Sequence, residues 1–185
     1  NEYVTMTGHD NITRGMLAES WEATEDLRTW TFHIRKGVNW KSGRPFTADD
    51  ALWNINHVLD PKTGSSGLGL FKGYMTNSVD TGEKDDKGKP KMTTELWDAN
   101  ALEKVDDFTF KMNTKQPQLA VPEHLAGWPV QMLDPAEGGN FGPGSNGTGA
   151  YDLVEVQGRE KVILKARGPH WSGNGPFADT LEFLD

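Results

Sequence analysis

Apolar and polar residues alternate most regularly over residues 28–36, where Trp30, Phe32 and Ile34 are separated by polar side chains. Successive side chains of a β-strand point to opposite faces of the sheet, so a period of two predicts a strand with one buried face. Glycines at positions 37 and 43 follow this segment and predict turns between it and the next element.

The same alternation recurs in the second half of the chain. An acidic turn at residues 106–107 precedes a short alternating run, which predicts a second hairpin strand. Its apolar positions are Phe108, Phe110 and Met112. Two further alternating runs flank Gln157 and Gly158 and predict a β-hairpin, and residues 177–185 predict a strand that the end of the chain cuts off.

A helical period begins at Thr47, a residue type that favours the N-cap position. Asp49 and Asp50 follow in the predicted first turn, where acidic side chains interact favourably with the helix dipole. Pro61 ends the helix because proline cannot continue its hydrogen bonds. The apolar stripe predicted for this helix consists of Leu52, Ile55 and Leu59.

The remaining segments are less regular. Residues 61–91 are rich in glycine and charge, with one short apolar patch at residues 68–75, and they predict the most loop-like part of the molecule. Residues 118–126 predict a short helix that tolerates Pro122 only near its first turn. Because strands and helices are mixed without a strict β-α-β alternation, the pattern as a whole predicts an α+β domain.

Composition narrows the classes of partner. The 185 residues carry a net charge of -8, which argues against nucleic acid and against anionic membranes as partners. No apolar run reaches the roughly 20 residues of a membrane span, so we expect contact with a membrane to be peripheral at most. The chain has no cysteine, which excludes disulfides and thiol ligands.

Gly142, Gly144 and Gly147 have the G-x-G-x-x-G spacing of a dinucleotide-binding loop. Such a loop needs a strand before it and a helix after it, so that the pyrophosphate meets the helix N-terminus. Here Pro143 interrupts the glycines, and the residues after Gly149 alternate like a strand. We therefore predict that residues 149–156 lead into a strand, that no helix N-terminus faces the glycines, and that no nucleotide cofactor binds.

No other constellation indicates catalysis or metal binding. The five histidines are scattered, and none has the spacing of a metal ligand. No nucleophile elbow is present, and the acidic pairs have simpler roles in turns, loops and a helix start. We therefore predict no catalytic residue, no metal site and no cofactor. Seven tryptophans mainly indicate core, and a minority of them lining a sugar-binding groove stays an alternative.

Four segments together resemble the extracellular solute-binding proteins of family 5, the receptors of ABC importers. The first is "LAESWEATEDLRTWTFHIRKGVNWKSGRPFTADDALWNINHVLDP", and the second is "VDDFTFKMNTKQP". The third is "NGTGAYDLVEV", with Ala150 where a proline is usual, and the last is "REKVILKARGPHWSGNGPFADTLEF", with His170 where a tyrosine is common. The four segments occur in the family's order and cover most of the chain.

This resemblance implies part of the first lobe of a periplasmic-binding-protein type II fold of the large, peptide-receptor class, a mixed sheet with flanking helices. It implies a flanking segment at residues 1–20, the extra subdomain of lobe one at residues 21–140, and strands returning to the main subdomain at residues 141–185. Family members are typically two to three times longer, so we expect the second lobe to be absent and an apolar docking face to be exposed.

The resemblance also implies a function. We expect a non-enzymatic receptor in the periplasm, or one anchored outside the membrane of a Gram-positive cell, which captures oligopeptides or dipeptides for a permease. Nickel chelates, opines and oligosaccharides stay open as ligands. Alternatives from other classes are a carbohydrate-binding module, a glycosidase and an interaction-only domain. In the segment from which peptide receptors offer an aromatic side chain to the ligand, Phe71 and Tyr74 are the predicted ligand contacts.

Overall fold

A four-stranded antiparallel sheet forms the centre of the computed structural model, which describes residues 1–185. The strands are β1 (Thr5–Thr7), β2 (Thr13–Gly15), β3 (Ala18–Ala23), β4 (Thr29–Ile34), β5 (Thr76–Lys84), β6 (Pro90–Leu96), β7 (Leu102–Asp106), β8 (Thr109–Asn113), β9 (Tyr151–Gln157), β10 (Lys161–Ala166) and β11 (Thr180–Leu184). The helices are α1 (Ala48–Leu59), α2 (Leu68–Met75) and α3 (Val121–Leu125).

The central sheet has the strand order β3-β4-β8-β7. Trp30, Phe32 and Ile34 of β4 are buried, while the residues between them are only partly covered. Phe32 pairs with Phe110 of β8, and their rings stack with centroids 5.1 Å apart. The strands predicted from the two alternating runs are therefore confirmed, and their apolar faces meet in one core.

Helix α1 begins as predicted. Thr47 is its N-cap, and the Asp50 carboxylate accepts a hydrogen bond from the Thr47 backbone N–H at 2.9 Å, which closes a capping box. The predicted stripe is partly wrong, because Leu52 is only partly buried and packs at the edge of the core. The face that the helix buries is shifted, and its apolar members are Ala48, Ala51, Ile55, Val58 and Leu59.

The prediction that residues 61–91 are mainly loop is wrong. They contain α2 and most of a long hairpin formed by β5 and β6. Burial of the apolar side chains of α2 against the core outweighs the low helix propensity of its two glycines. The sequence pattern does not predict the hairpin, because most of its side chains are exposed on both faces and no alternating apolar pattern results.

The C-terminal part of the chain forms a separate antiparallel sheet with the order β11-β10-β9. The hairpin predicted at Gln157 and Gly158 and the final strand are confirmed as β9, β10 and β11. The short helix predicted at residues 118–126 is present as α3, with Pro122 in its first turn. The fold is thus mixed α+β, as predicted.

Core residues are unevenly distributed along the chain. All the buried hydrophobic side chains lie between Val4 and Met132, and they form a single cluster. No hydrophobic side chain of β9, β10 or β11 is fully buried. None of the helices combines the length and apolar composition that a membrane span requires.

Candidate functional site

The structure places both predicted ligand contacts in the core. The Phe71 side chain is 0% exposed and that of Tyr74 is 1% exposed. The Tyr74 hydroxyl lies 2.9 Å from Nδ1 of His124 on α3, and the two rings stack with centroids 5.7 Å apart. In this structure Phe71 and Tyr74 both pack on His124 and so hold α2 against α3. Their contact with a ligand stays a prediction.

Burial changes the proton affinity of this pair. It raises the pKa of the Tyr74 phenol, because the charged phenolate would lose its hydration. It also lowers the pKa of His124, against a smaller opposing influence from Glu123. Both rings are therefore favoured as neutral groups, so one can donate a hydrogen bond to the other.

An exposed apolar patch lies beside this buried pair. Leu70 is on the outer side of α2 and packs so closely on Gly127 that a Cβ atom there would lie 3.0 Å from Leu70 Cδ1. Trp128, the next residue along the chain, is 75% exposed. We did not predict this patch, because two residues far apart in sequence carry no periodic signal.

The glycine-rich segment, residues 140–149, connects the core region to the C-terminal sheet and is called here the crossing. Gly144 has a φ of 87°, a conformation that glycine adopts without strain, and its N–H donates to the Leu153 carbonyl at 2.8 Å. Strand β9 follows directly at Tyr151, and no helix begins after the glycines. The predicted strand is confirmed, and the segment lacks the helix N-terminus of a phosphate-binding loop.

Arg44 binds the crossing to the core through charged side chains. Its guanidinium lies 2.8 Å from the Asp50 carboxylate on α1 and 2.7 Å from the Asp134 carboxylate, and both carboxylate side chains are 4% exposed. The Asn146 side-chain amide donates to Asp134, and Trp40 Nε1 donates to Asp50 at 3.1 Å. Four segments therefore meet at one set of charges, in which both carboxylates are buried and have donors.

Hydrogen bonding decides the charge state of Asp134. Burial favours the neutral acid, but donors from the Ala136 backbone, Asn146 and Arg44 together outweigh it. The pKa of Asp134 consequently lies below its ordinary value. The ionised carboxylate is the form that holds the N-G-T-G segment in place.

The C-terminal sheet has one face made of apolar side chains, called here the apolar sheet face. Its members are Tyr151, Leu153, Val156, Val162, Leu164, Ala166, Leu181 and Phe183. They share a face because Val162 pairs with Val156 and Phe183, while Leu164 pairs with Leu153 and Leu181. The other face carries most of the sheet's charged side chains, so the sheet is strongly two-sided.

A cavity of about 550 Å³ adjoins the apolar sheet face. Its apolar lining consists of Met6, Met16, Phe141, Ala150, Tyr151, Leu153, Leu164 and Trp171. At one end the buried Glu2 carboxylate accepts a hydrogen bond from Trp171 Nε1 at 2.9 Å and lies 3.0 Å from His170 Nε2. This contact joins the N-terminal segment to the loop before β11.

The structure contains no group of three or more acidic, histidine or cysteine side chains placed to hold a metal ion. Residues 13–184 match the family model of bacterial extracellular solute-binding proteins, family 5 Middle.

The chain belongs to this family.

Two relatives of this family 5 protein are peptide receptors by name. It is 31% identical over 176 residues to the periplasmic oligopeptide-binding protein OppA of Haemophilus influenzae, with 90% of this chain and 30% of that protein covered. It is 30% identical over 188 residues to the dipeptide-binding protein DppE of Bacillus subtilis, with 98% of this chain and 33% of that protein covered. The chain thus spans about a third of the length of these curated relatives.

Solved structures support the same fold for this family 5 chain. The Escherichia coli murein tripeptide binding protein MppA matches with a TM-score of 0.76 and 24% identity, over 99% of this chain and 35% of that one. The Haemophilus influenzae OppA complex with the peptide RPPGFSPFR matches with a TM-score of 0.72 and 24% identity, over the same shares. The predicted fold, part of a type II periplasmic-binding-protein lobe, is confirmed.

Proposed function

We propose that the chain is part of the substrate-binding component of an ABC importer, which captures oligopeptides or dipeptides outside the cytoplasmic membrane and delivers them to a permease. The family match over residues 13–184 carries this proposal. Relatives at about 30% identity that are named for oligopeptide or dipeptide binding support peptide as the ligand class. Capture and release make and break no covalent bond, so the proposed role is not enzymatic.

The division of the chain follows from the proposed role. Residues 21–140 form the extra subdomain of lobe one, residues 1–20 flank it, and residues 141–185 return to the main subdomain. The end of the buried core at Met132 and the two-sided sheet that follows support the second boundary. The first boundary has no such support, because Val4, Leu17 and Ala18 belong to the same core as residues 21–140. The second lobe belongs to chain outside residues 1–185.

The proposed mechanism is closure of two lobes around the ligand. A hinge motion of this kind is a shift between open and closed populations, and the ligand drives it by binding the closed form more tightly. The receptor acts in the periplasm, or at the outer face of the membrane as an anchored protein if the cell is Gram-positive.

Other ligands of the family are the alternative to peptide. Structures of AgaA with agropinic acid and of Brucella suis NikA with Fe(III)-EDTA match with TM-scores of 0.74 and 0.73. Their identities of 19% and 23% support a shared fold alone. Nickel chelates, opines and oligosaccharides are therefore weaker candidates than peptide, and the family match argues against a carbohydrate-binding module.

Native mass spectrometry of the full-length receptor purified from its host tests the ligand class. We expect co-purified masses that fragment as peptides and that leave when the protein is denatured. Masses that fragment as sugars, opines or metal chelates would contradict the peptide assignment while leaving the receptor role in place.

Phe71 and Tyr74 are the proposed lobe-one contacts, acting from the buried α2–α3 junction beside exposed Leu70. Calorimetric titration of the full-length receptor with its co-purified ligand tests Tyr74→Ala, and Tyr74→Phe is the matched control that keeps the ring. We expect weaker binding by Tyr74→Ala and near-normal binding by Tyr74→Phe. Equal affinity of Tyr74→Ala and the parent would remove Tyr74 from the site.

A further inference from the structure

We propose that Asn174 is a site of spontaneous deamidation in the folded protein, and that hydrogen bonds protect Asn146 from the same reaction. Deamidation is a covalent modification that converts asparagine to aspartate or isoaspartate. It needs water and no catalytic group, so the proposal does not depend on which ligand the protein captures. Among the asparagines of the chain, only these two are followed by glycine.

The chemistry of deamidation explains why the following residue matters. The backbone nitrogen of that residue attacks the Cγ atom of the asparagine and forms a bond to it. The bond from Cγ to Nδ2 breaks, and ammonia leaves with the proton of the backbone N–H. Water then opens the cyclic imide at either carbonyl and leaves a carboxylate. Glycine favours the attack because it has no Cβ atom and its backbone is conformationally permissive.

Asn174 meets the requirements of this reaction. It lies in the loop before β11, outside every helix and strand, and it is exposed to water. Its backbone N–H donates to Ser172 Oγ at 3.2 Å, but its side chain makes no hydrogen bond within the chain. The backbone N–H of Gly175, which supplies the attacking nitrogen, has no acceptor either. The two reacting groups can therefore approach each other without breaking a hydrogen bond of the fold.

Asn146 is held by hydrogen bonds that oppose the reaction. Its Oδ1 accepts from the Ser42 backbone N–H at 2.9 Å, and its Nδ2 donates to the Asp134 carboxylate and, at 3.1 Å, to Ser42 Oγ. Its backbone N–H donates to the Glu137 carboxylate at 3.0 Å. Rotation of the amide toward Gly147 and release of Nδ2 as ammonia both break these contacts. The same Asn-Gly sequence is thus restrained here and unrestrained in the loop before β11.

Deamidation at residue 174 adds a negative charge beside a cavity that already holds one. Asn174 lines the cavity that Glu2 and His170 also line, and Glu2 is buried. A carboxylate in place of the amide increases the repulsion of like charges there. The isoaspartate product also lengthens the main chain by one carbon atom before β11. We therefore expect a more acidic form of the protein that accumulates with time.

Peptide mapping of the full-length receptor by mass spectrometry tests the proposal. The receptor is incubated at mildly alkaline pH, both folded and in denaturing urea, until the unfolded chain has reacted. In the folded receptor we expect at least about tenfold more aspartate and isoaspartate at residue 174 than at residue 146, because the hydrogen bonds of Asn146 must open first. In the unfolded chain we expect similar amounts at the two residues, since neither then has contacts.

Asn174→Gln is the decisive variant, because its longer side chain cannot form the same five-membered ring. We expect it to abolish the more acidic form that anion exchange resolves from the parent receptor. Asn100→Gln is the matched control, since Asn100 is exposed and followed by alanine, and we expect the acidic form to persist in it.

Three results would overturn the proposal. The first is equal or greater modification at residue 146 than at residue 174 in the folded receptor. The second is a folded receptor modified at neither residue while the unfolded chain reacts at both. The third is the same ratio between the two residues in folded and unfolded chains, because the hydrogen bonds of Asn146 would then protect nothing.

Discussion

The two larger sheets of this molecule are built from similar alternating sequences but differ in how completely they are buried. The central sheet, β3-β4-β8-β7, places Phe32 and Phe110 face to face under α1, with no exposure to water. The C-terminal sheet, β11-β10-β9, has an equally continuous apolar face in which no member is fully buried. Alternation therefore specifies strands and faces in both sheets, and burial depends on whether a second layer is present.

This difference indicates where the fold is self-sufficient. The central sheet, α1 and α2 share one core and need nothing beyond residues 1–185 to exclude water. The C-terminal sheet contacts the rest of the molecule through an ion pair of Asp152 on β9 with Lys41 at 2.9 Å and through the contact of Glu2 with Trp171 in the loop before β11. Its apolar face is only partly covered.

The largest expected effect contrasts one phenylalanine from each sheet in the 185-residue chain. Truncating buried Phe110 to alanine is expected to lower the free energy of unfolding by about 4 kcal/mol, because the cavity it leaves lies in a packed core. Truncating exposed Phe183 to alanine is expected to cost less than about 0.5 kcal/mol. Urea unfolding followed by circular dichroism measures both, and similar losses would remove the contrast.

The second effect concerns the polar attachment of the glycine-rich crossing to the core. Arg44→Gln leaves two buried carboxylates without their cation, and because the Arg44 side chain is 41% exposed we discount the cost to about 2 kcal/mol. The matched control is Arg14→Gln, which breaks an exposed ion pair with Asp10 and is expected to leave the stability nearly unchanged. A loss for Arg44→Gln no greater than that of Arg14→Gln would show that the buried charges do not hold the crossing.

A smaller effect is expected within the glycine-rich crossing. Gly144→Ala places a Cβ on a residue with a φ of 87°, which is expected to cost about 1 kcal/mol in backbone strain. The control is Gly142→Ala, because Gly142 has no neighbouring atom within 4 Å of a Cβ and an ordinary φ. If the two variants unfold at the same urea concentration, backbone strain does not explain the glycine at position 144.

The smallest effect is the pH dependence contributed by His124 in the core region. Burial lowers the pKa of His124, so the unfolded chain takes up a proton at a higher pH than the folded chain does. The stability contributed by the neutral ring is complete above the ordinary histidine pKa of about 6.5, and it is lost as the pH falls from there through the lowered folded value.

Urea midpoints at pH 7 and pH 5 measure this dependence. We expect the parent chain to lose more stability over that interval than His124→Gln, whose side chain does not titrate. His9→Gln is the control, since His9 is exposed and its replacement is expected to leave the loss unchanged. An identical loss in His124→Gln and the parent would contradict the assignment of the pH dependence to His124.

Sequence patterns predicted the parts of the fold in which burial repeats with the period of the backbone. β4, β8 and the β9–β10 hairpin follow from alternation, and the capped start of α1 follows from Thr47 and Asp50. The β5–β6 hairpin was missed because its stability comes from backbone pairing and its side chains face water. A pattern of burial cannot reveal an element that buries little.

The candidate site was less predictable than the fold. The resemblance to the family predicted ligand contacts on α2. Phe71 and Tyr74 face inward, however, and the exposed apolar side chain of this helix is Leu70. The carboxylates around Arg44 come from positions far apart in the chain, and no local spacing of residues in the sequence predicts such a cluster. Both lobes of a two-lobed receptor supply ligand contacts. One segment of one lobe therefore indicates the region of the binding site but not all of its contact residues.

Hydrogen–deuterium exchange on the 185-residue chain tests the contrast between the two sheets most directly. The account predicts that the amides of β9, β10 and β11 exchange through local opening, at least about tenfold faster than those of β4 and β8, which open only when the core unfolds. Equal protection of the two sheets would contradict it, because the C-terminal sheet would then be as stable as the core without a layer over its apolar face.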